Sequence, residues 1–389
     1  MKKARAQLSA SEPVTNESQQ AQPSRRKFLA SATVGAAGAA ALAFPMGSKA
    51  QAPIKLRFQA GWPTKDAFYA YTQTFVQKVA DMSGGKLVFD LLPAGSVVKP
   101  FDMLDAVHSG TLDAAHGACG YWYGKNTAYS LFGTGPAIGM DAQMLLGWVE
   151  YGGGKALYEE LISQIMKYNV KGFLHVPMWN QPLGWFKKEV KTAADFKGLK
   201  YRTIGLAVDL MKEMGSSVVM LPAADIVPAL ERGLIDAAEF NNPTSDRTLG
   251  FADVSKICMV QSFHQPMECQ EIIINKKKFD ALPKEFQAMI ANAASSLSAE
   301  MGYKSMSDNS RDMTELTAKG VQFIRTPKEI LQAQLNAWDA VIAKRSAENP
   351  FFVKVFESQK AWVKRVGPWR YAIEPNQEMA YNHFFGKKA

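Results

Sequence analysis

A six-residue pattern occurs twice in the chain and limits the folds that the chain can adopt. Residues 110–115 read GTLDAA and residues 233–238 read GLIDAA, and each copy follows a helical pattern. Each copy predicts a helix that stops at its glycine and a short buried strand after it. Two copies of one such unit indicate two similar α/β lobes.

The residues that follow the two copies are predicted to face a common ligand crevice. In open α/β sheets, ligands bind outside the carboxyl ends of the strands. His116 follows the first copy and Glu239 follows the second, so these residues occupy equivalent strand ends. A ligand held between the lobes would therefore meet residues 116–122 from one lobe and residues 239–241 from the other.

A short strand pattern delivers an arginine to the end of a strand. Side chains alternate along a strand, so Leu199 and Tyr201 share one face while Lys200 and Arg202 share the other. The planar guanidinium of Arg202 is suited to binding a carboxylate through two parallel hydrogen bonds. The alternative is a surface arginine that is paired with any nearby acid.

The order of the patterns predicts that the chain crosses between the lobes twice. The first crossing runs from a strand at 170–176 to a strand at 183–186, and the second from 257–260 to 271–274. From residue 284 onward the pattern is almost entirely helical, and its first helix is predicted to run from 284 to about 319. The predicted organisation is an export signal at 1–50, a first lobe of 51–176 and 263–305, a second lobe of 177–262 and 306–349, and a helical C-terminal extension of 350–389.

The first 50 residues have the pattern of an export signal. Arg25 and Arg26 precede an apolar run rich in Ala and Gly, and residues 48–50 (SKA) have the small-x-small pattern of a cleavage site. The run is shorter and less apolar than a membrane span, which needs about 20 apolar residues. The paired arginines resemble a twin-arginine signal, so we expect a periplasmic protein that starts near Gln51. The alternative is a chance basic patch before a general secretory signal.

Charge and cysteine content narrow the classes of partner. The formal net charge is +9, but residues 1–50 alone carry seven Lys or Arg and two Asp or Glu. No basic block with interleaved aromatic residues is present, so nucleic acid is not a predicted partner. Cys119, Cys258 and Cys269 form no zinc-binding spacing. A disulfide between Cys258 and Cys269 and free buried thiols both stay open.

Sequence motifs for catalysis are missing. The chain has no H-E-x-x-H, no G-x-S-x-G and no P-loop, and its five histidines lack the spacing of metal ligands. These absences favour a binding protein. The alternative is a periplasmic lyase or isomerase of small oxo acids that uses Glu239 as its base and His116 or His264 as its acid.

Three segments resemble the solute-binding proteins of TRAP (tripartite ATP-independent periplasmic) transporters. They are residues 196–202 (FKGLKYR), 233–238 and 275–283 (NKKKFDALP), and the resemblance extends over nearly all of 53–370. It implies the α/β, two-lobed periplasmic binding protein fold, class II-like, with long C-terminal helices and closure by hinge motion. It also implies a TRAP membrane permease as a partner.

The resemblance is closest to members that bind 2-oxo or 2-hydroxy monocarboxylates, such as pyruvate or lactate, with a metal cation. In these members a Gln, an Arg, a Glu and an aromatic residue recur, and they match Gln181, Arg202, Glu239 and Phe240. Gln181, Glu239 and the Phe240 carbonyl would bind a sodium or calcium ion that bridges to the ligand carboxylate held by Arg202. No organic cofactor is implied. The alternatives are an Arg202–Glu239 ion pair and a loop hydrogen bond for Gln181.

Further residues are predicted to contact the ligand or a second copy of the chain. Gln265 lies in the segment that leads into the second crossing, and we expect it to contact the ligand. Related 2-oxo acid binders dimerise through a C-terminal helix, so a homodimer is a further expectation, with packing of this helix on its own lobe as the alternative. The predicted apolar walls of the site are Tyr121, Trp122, Trp179 and Phe240, and the apolar positions of the tail helix are Trp362, Val363, Val366 and Trp369.

Overall fold

The structure is a computed structural model that describes residues 52–386, so the predicted export signal lies outside the described residues. The strands are β1 (Ile54–Ala60), β2 (Leu87–Leu92), β3 (Ala114–Ala118), β4 (Val170–Met178), β5 (Gly184–Phe186), β6 (Lys200–Arg202), β7 (Ser217–Val219), β8 (Ala237–Ala238), β9 (Ile257–Val260), β10 (Glu268–Asn275) and β11 (Gln322–Arg325). The α-helices are α1 (Ala67–Met82), α2 (Met103–Ser109), α3 (Ala142–Tyr151), α4 (Gly154–Glu160), α5 (Ala207–Glu213), α6 (Ala223–Glu231), α7 (Pro243–Leu249), α8 (Phe251–Val254), α9 (Lys276–Asp280), α10 (Lys284–Ala318), α11 (Lys328–Glu348), α12 (Pro350–Ile373) and α13 (Gln377–Phe385).

Within residues 52–386 the strands form two mixed sheets, which agrees with the predicted α/β class. The first sheet has the order β2-β1-β3-β10-β4, and the second has the order β11-β9-β5-β8-β6-β7. In the first sheet β1 is parallel to β2 and β3, while β10 is antiparallel to β3 and β4. In the second sheet β6 is parallel to β7 and β8, while β5 is antiparallel to β8 and β9.

The two sheets repeat one arrangement around the duplicated sequence pattern. In the first copy α2 ends at Gly110, whose φ of 85° allows the turn into β3. In the second copy Gly233, with a φ of 72°, follows α6 and precedes β8. The order of pairing then makes β3 equivalent to β8, β1 to β6, β2 to β7, and β10 to β5.

The chain passes between the two sheets twice. The chain leaves β4 of the first sheet and enters β5 of the second, and it later leaves β9 of the second sheet and enters β10 of the first. The two connecting segments, 179–183 and 261–267, therefore run between the sheets. These are the two crossings that the sequence predicts, although β10 begins at Glu268, three residues before the predicted strand.

Long helices join the sheets from outside. Residues 284–319 are predicted to be helical, and α10 ends at Ala318. This helix packs against β4 of the first sheet and against α7, which follows the second sheet's β8. The helix α12 packs on the first half through Trp362, whose indole N–H donates to the Met144 carbonyl at 3.0 Å. In α13, by contrast, no residue is buried.

Two further findings concern residues 52–386 alone. None of the helices described there combines the length and the apolar character that a membrane crossing requires. Cys119, Cys258 and Cys269 are buried free thiols, and Cys258 and Cys269 lie in strands of different sheets. The free-thiol alternative is therefore the one that the structure contains.

Candidate functional site

Arg202 is the last residue of β6, and hydrogen bonds hold its side chain in a fixed position. Its Nε and Nη2 donate to the Leu221 carbonyl at 2.9 and 2.6 Å. Its Nη1 donates to the backbone carbonyl of Glu239 at 2.8 Å. The guanidinium carbon also lies 5.9 Å from the centroid of the Phe240 ring. The side chain is 1% exposed, so its charge is removed from solvent and needs an anionic partner.

Glu239 supplies one such partner, because its Oε1 lies 3.0 Å from Arg202 Nη1. The ion pair left open by the sequence analysis is therefore present. The second carboxylate oxygen, Oε2, is buried and has no hydrogen-bond partner among the described residues. Burial raises the pKa of Glu239 to about 7, against the opposing effects of Arg202 and, to a smaller extent, of the nearby Thr203 side chain. One arginine thus only partly compensates the buried carboxylate, and one oxygen stays free to bind another group.

Gln181 and Gln265 come from the two segments that run between the sheets, and the structure brings them together. The Gln181 backbone N–H donates to the Gln265 carbonyl at 3.2 Å. The Gln265 side chain donates to Thr203 Oγ1 at 3.4 Å, next to Arg202 in the chain. The side-chain oxygens of both glutamines are buried without a hydrogen-bond partner in the described structure. Both predicted glutamines therefore lie at the site with an acceptor oxygen available.

Glu268 is a second buried carboxylate at the site, and the sequence analysis missed it. Its Oε2 accepts a hydrogen bond from Gln181 Nε2 at 3.1 Å, and its Oε1 has no partner in the described structure. Burial raises its pKa to about 8, the Glu239 charge adds to this rise, and Arg202 opposes it. The signal that could have identified it is a glutamate at the start of a strand with an apolar run, and all residues of β10 are buried. The predicted strand began only at Glu271, so this signal was not used.

The side chains around Arg202 enclose a small cavity of about 10 Å³, which is room for about one water molecule. A carboxylic acid can enter only when the lobes open or side chains shift. A separate pocket of about 200 Å³ shares Phe68 with this cavity but is not lined by Arg202 or a carboxylate. The small cavity is lined by Trp62, Phe68, Ala118, Tyr121, Arg202, Ile204, Phe240 and Glu268.

The predicted aromatic residues take different places. Tyr121 and Phe240 line the small cavity. Trp122 is buried behind it, where its indole N–H donates to Glu271, so it does not line this cavity. Trp179 is 51% exposed and lines the larger outer pocket. The sequence did not predict Trp62 and Phe68 as walls, because they precede and begin α1, far from every site motif in the chain.

The histidines named for the enzyme alternative are buried and neutral. Burial lowers the pKa of His116 and of His264 to about 3, so neither is a protonated acid near neutral pH. One ring nitrogen of His116 accepts from the Trp62 indole at 3.1 Å, and the His264 ring lies 2.7 Å from Ser262 Oγ. These hydrogen bonds give both histidines a structural role within the buried interior.

Contacts between the two halves close the cleft around the site. Asp209 of α5 accepts from Tyr123 Oη at 2.8 Å and from Arg345 Nε at 2.7 Å. Gly205 has a φ of 61° and lies so close to Thr134 that a Cβ atom would overlap the threonine hydroxyl. The segment after Arg202 thus packs directly on the first half, which excludes bulk water from the guanidinium.

The donor set fits a hard cation. Gln181 and Glu239 leave one amide oxygen and one carboxylate oxygen that are buried and unpaired in the described structure, and such oxygens suit sodium or calcium. The described residues contain no cluster of three or more His, Cys, Asp or Glu that could hold a metal. A cation site among these residues therefore has to include side-chain amide or backbone carbonyl oxygens.

Comparison with known proteins gives the family context of this site. A model of the family described as bacterial extracellular solute-binding protein, family 7, matches residues 58–349. A monocarboxylate 2-oxoacid-binding periplasmic protein of a Nostoc species is 30% identical over 331 residues, which cover 85% of this chain and 89% of that protein.

Two solved structures of TRAP solute-binding proteins are similar over most of the chain. One, from Bordetella bronchiseptica, is a mixed-occupancy dimer with calcium and picolinate; it has a TM-score of 0.80 and 28% identity and covers 86% of this chain and 98% of that one. The other, from Pseudoalteromonas atlantica, contains sodium and pyruvate; it has a TM-score of 0.78 and 27% identity and covers 86% of this chain and 99% of that one.

Proposed function

This chain belongs to bacterial extracellular solute-binding protein family 7 and is a TRAP transporter solute-binding protein, and from this premise we propose that it binds a small 2-oxo or 2-hydroxy monocarboxylate together with a cation. The family consists of receptors, so the oxo-acid lyase or isomerase alternative is set aside. The observation that carries the proposal is the buried Arg202 beside a carboxylate with one unpaired oxygen. Such a pair offers a cationic group to the acid and an anionic group to the cation.

In the structure Glu239 compensates the charge of Arg202. We expect the ligand carboxylate to supply part of this negative charge when it binds. In the proposed complex Arg202 binds the ligand carboxylate, and Gln181, Glu239 and the Phe240 carbonyl hold a sodium or calcium ion against its other side. The cation supplies positive charge where the ligand carboxylate and Glu239 would otherwise repel each other. Tyr121 and Gln265 complete the proposed contacts around a short acyl chain, and Trp122 supports them from behind the cavity. The protein binds and releases the acid unchanged.

Calorimetry with pyruvate tests this function. The protein is stripped of metal with a chelator, and pyruvate is then titrated with sodium, with calcium and with neither. We expect binding that needs a cation, and a Glu239→Gln variant that holds the cation about 10- to 100-fold more weakly, by analogy with altered metal sites. Glu300→Gln, on the exposed surface of α10, is the matched control. Pyruvate binding by wild type that ignores both cations would contradict the cation site.

Delivery to a TRAP membrane permease follows as a further part of the proposal. A receptor raises the local availability of a scarce acid to the permease only when it closes around that acid. A strain that lacks the chain is expected to take up labelled pyruvate more slowly at low external concentration. Uptake at the wild-type rate would argue against this role.

Export through the twin-arginine route remains a proposal that rests on Arg25 and Arg26. The family description is extracellular and the Nostoc relative is periplasmic, but neither indicates the route. Replacing both arginines by lysine in a reporter fusion is expected to block export. Unchanged export would assign the chain to the general secretory route.

A homodimer through the C-terminal helices is also proposed. Trp362, Val363 and Val366 pack against the body of the protein, whereas Trp369 is 67% exposed. The helix α13 adds exposed Met379, Tyr381, Phe384 and Phe385. Exposed aromatic residues in this density are typical of a protein–protein contact. Light scattering should give a dimer mass for wild type and a monomer mass for Phe384→Ser/Phe385→Ser; a monomeric wild type would exclude the contact.

A further inference from the structure

Glu268 is the feature of the site that neither the sequence motifs nor the proposed donor set explains. It is 3% exposed and lines the cavity together with Arg202 and Phe240. One of its oxygens is held by Gln181, and the other, Oε1, is unpaired in the described structure. A buried carboxylate oxygen without a partner is costly unless a cation or a donor binds it.

Two other proposed cation ligands are tied to Glu268 or to its surroundings. The side-chain amide N–H of Gln181 donates to Glu268 Oε2, and the side-chain oxygen of Gln181 has no hydrogen-bond partner in the described structure. Glu239 lies close enough for its charge to act on Glu268, and Arg202 acts on both. The two carboxylates and the amide thus belong to one buried group of side chains.

We propose that Glu268 is an additional cation ligand of this chain and that it makes the site selective for a divalent cation such as calcium over sodium. The inference rests on the proposed function, because it concerns the same cation site. It adds a second carboxylate to the set of Gln181, Glu239 and the Phe240 carbonyl.

The charge balance gives the physical reason. A cation binds carboxylates in their ionised form. With Arg202, Glu239 and Glu268 charged, the cation-binding state of the site has a formal charge of −1, and a bound monocarboxylate makes it −2. A divalent cation neutralises this charge, whereas a sodium ion leaves −1 buried. Ligand charge count is one of the properties that set the affinity of calcium sites. A site with a single carboxylate would balance with sodium instead.

Calorimetric titration of the cation alone into the metal-free full-length mature protein provides the test. Calcium chloride and sodium chloride are titrated separately, first without an acid and then with pyruvate present. We expect wild type to bind calcium more tightly than sodium. We expect Glu268→Gln to bind calcium at least about 10-fold more weakly and to lose the preference over sodium. Calcium binding by Glu268→Gln that equals wild type would overturn the proposal.

Two further variants separate loss of a ligand from loss of the fold. Glu268→Asp keeps the charge and is expected to keep the preference for calcium. Glu271→Gln is the matched control, because Glu271 lies in the same buried strand but has both oxygens engaged by Trp122 and Tyr158. It should leave the calcium affinity of the folded protein unchanged. A loss of calcium binding in Glu271→Gln as large as that in Glu268→Gln would also count against the proposal.

A measurement on wild type makes the test independent of any variant. In a calcium-bound crystal structure the Glu268 carboxylate should lie about 2.3–2.6 Å from the ion, which is the usual calcium–oxygen distance in proteins. A distance well beyond that range would overturn the proposal.

The titrations also separate this proposal from the proposed function. Wild type that binds pyruvate with calcium and sodium equally well would contradict the role of Glu268 alone. Wild type that binds no pyruvate with any cation would contradict the proposed function.

Discussion

Gln59 and Arg202 occupy equivalent positions in the two sheets, yet only one of them brings charge to the cleft. Gln59 pairs with Ala115 across β1 and β3, and Arg202 pairs with Ala238 across β6 and β8. Ala115 and Ala238 are the last residues of the two copies of the repeat. The comparison therefore separates what the shared architecture needs from what ligand binding adds.

Both side chains bind the segment that follows the neighbouring parallel strand. The Gln59 amide donates to the Val98 carbonyl at 2.8 Å and accepts from the backbone N–H of Val97 at 2.8 Å and of Val98 at 3.2 Å. Arg202 binds the Leu221 carbonyl after β7 in the corresponding way. The Gln59 amide is neutral and makes these three hydrogen bonds within the first half. The guanidinium has five donors, so it still reaches Glu239 and can bind an anion.

His116 and Glu239, which follow Ala115 and Ala238, also differ in whether they bring charge to the cleft. His116 is enclosed in the first half, where its ring accepts from Trp62 and lies stacked on His175 with ring centroids 4.9 Å apart. Glu239 keeps one oxygen unpaired beside Arg202. One copy of the repeat has thus become an apolar support, and the other carries the charged groups.

The largest effect is expected from making the second sheet like the first. Arg202→Gln keeps an amide for the Leu221 contact but removes the charge that would bind the ligand. Loss of one partner of a buried charge pair costs roughly 2–5 kcal/mol, or about 30- to several-thousand-fold in pyruvate affinity. Arg202→Lys should also weaken binding, because an ammonium group lacks the planar fork. Calorimetry with pyruvate measures both; a lysine variant as tight as wild type would make Arg202 a structural residue.

A smaller effect of a different kind is expected at the equivalent position. Gln59→Leu leaves the Val97 and Val98 backbone groups without their side-chain partner, which should lower the free energy of unfolding by about 1–3 kcal/mol. Pyruvate affinity should stay close to that of wild type, because Gln59 does not line the cavity. Urea unfolding and calorimetry on the same sample check the two halves of this prediction. A large loss of affinity with unchanged stability would contradict the assignment of Gln59 to stability and of Arg202 to ligand binding.

An effect of a third kind is expected in the pH dependence of stability, and its sign should differ between the two strand ends. Burial lowers the pKa of His116 from 6.5 to about 3, so its contribution to stability is present above 6.5 and is lost as pH falls toward 3. Burial raises the pKa of Glu239 from 4.5 to about 7, so its contribution is present below 4.5 and is lost as pH rises toward 7. Each proton difference changes the slope by about 1.4 kcal/mol per pH unit.

Unfolding curves of the metal-free protein at several pH values measure these slopes. His116→Gln should reduce the loss of stability on acidification between about pH 6.5 and 3, because the unfolded histidine no longer takes up a proton. Glu239→Gln should shift the slope in the opposite direction between about pH 4.5 and 7. Shifts of the same sign for both variants would contradict the assigned environments of these two residues.

The sequence by itself determined the parts of this protein that depend on local pattern. The glycine stops predicted two related α/β units, and the helical period predicted α10 to within one residue at its end. The alternation along 199–202 predicted Arg202 at the end of a strand. Glycine conformation, helix period and strand alternation act over a few residues, so one sequence is enough to detect them. The repeat also placed Glu239 and Phe240 at the crevice, and the resemblance then added Gln181 and the roles of all three residues in cation binding.

Only the tertiary structure decided which side chains join Arg202 around the cavity. Met178 at the end of β4 pairs with Glu268 at the start of β10, and this antiparallel pairing brings Glu268 within hydrogen-bond distance of Gln181. Trp62 and Phe68 reach the cavity from the beginning of the chain, whereas Trp122 turns toward Glu271. Strand pairing between distant segments is set by the packing of whole sheets and not by local preference, because backbone hydrogen bonds are the same for every residue that can extend.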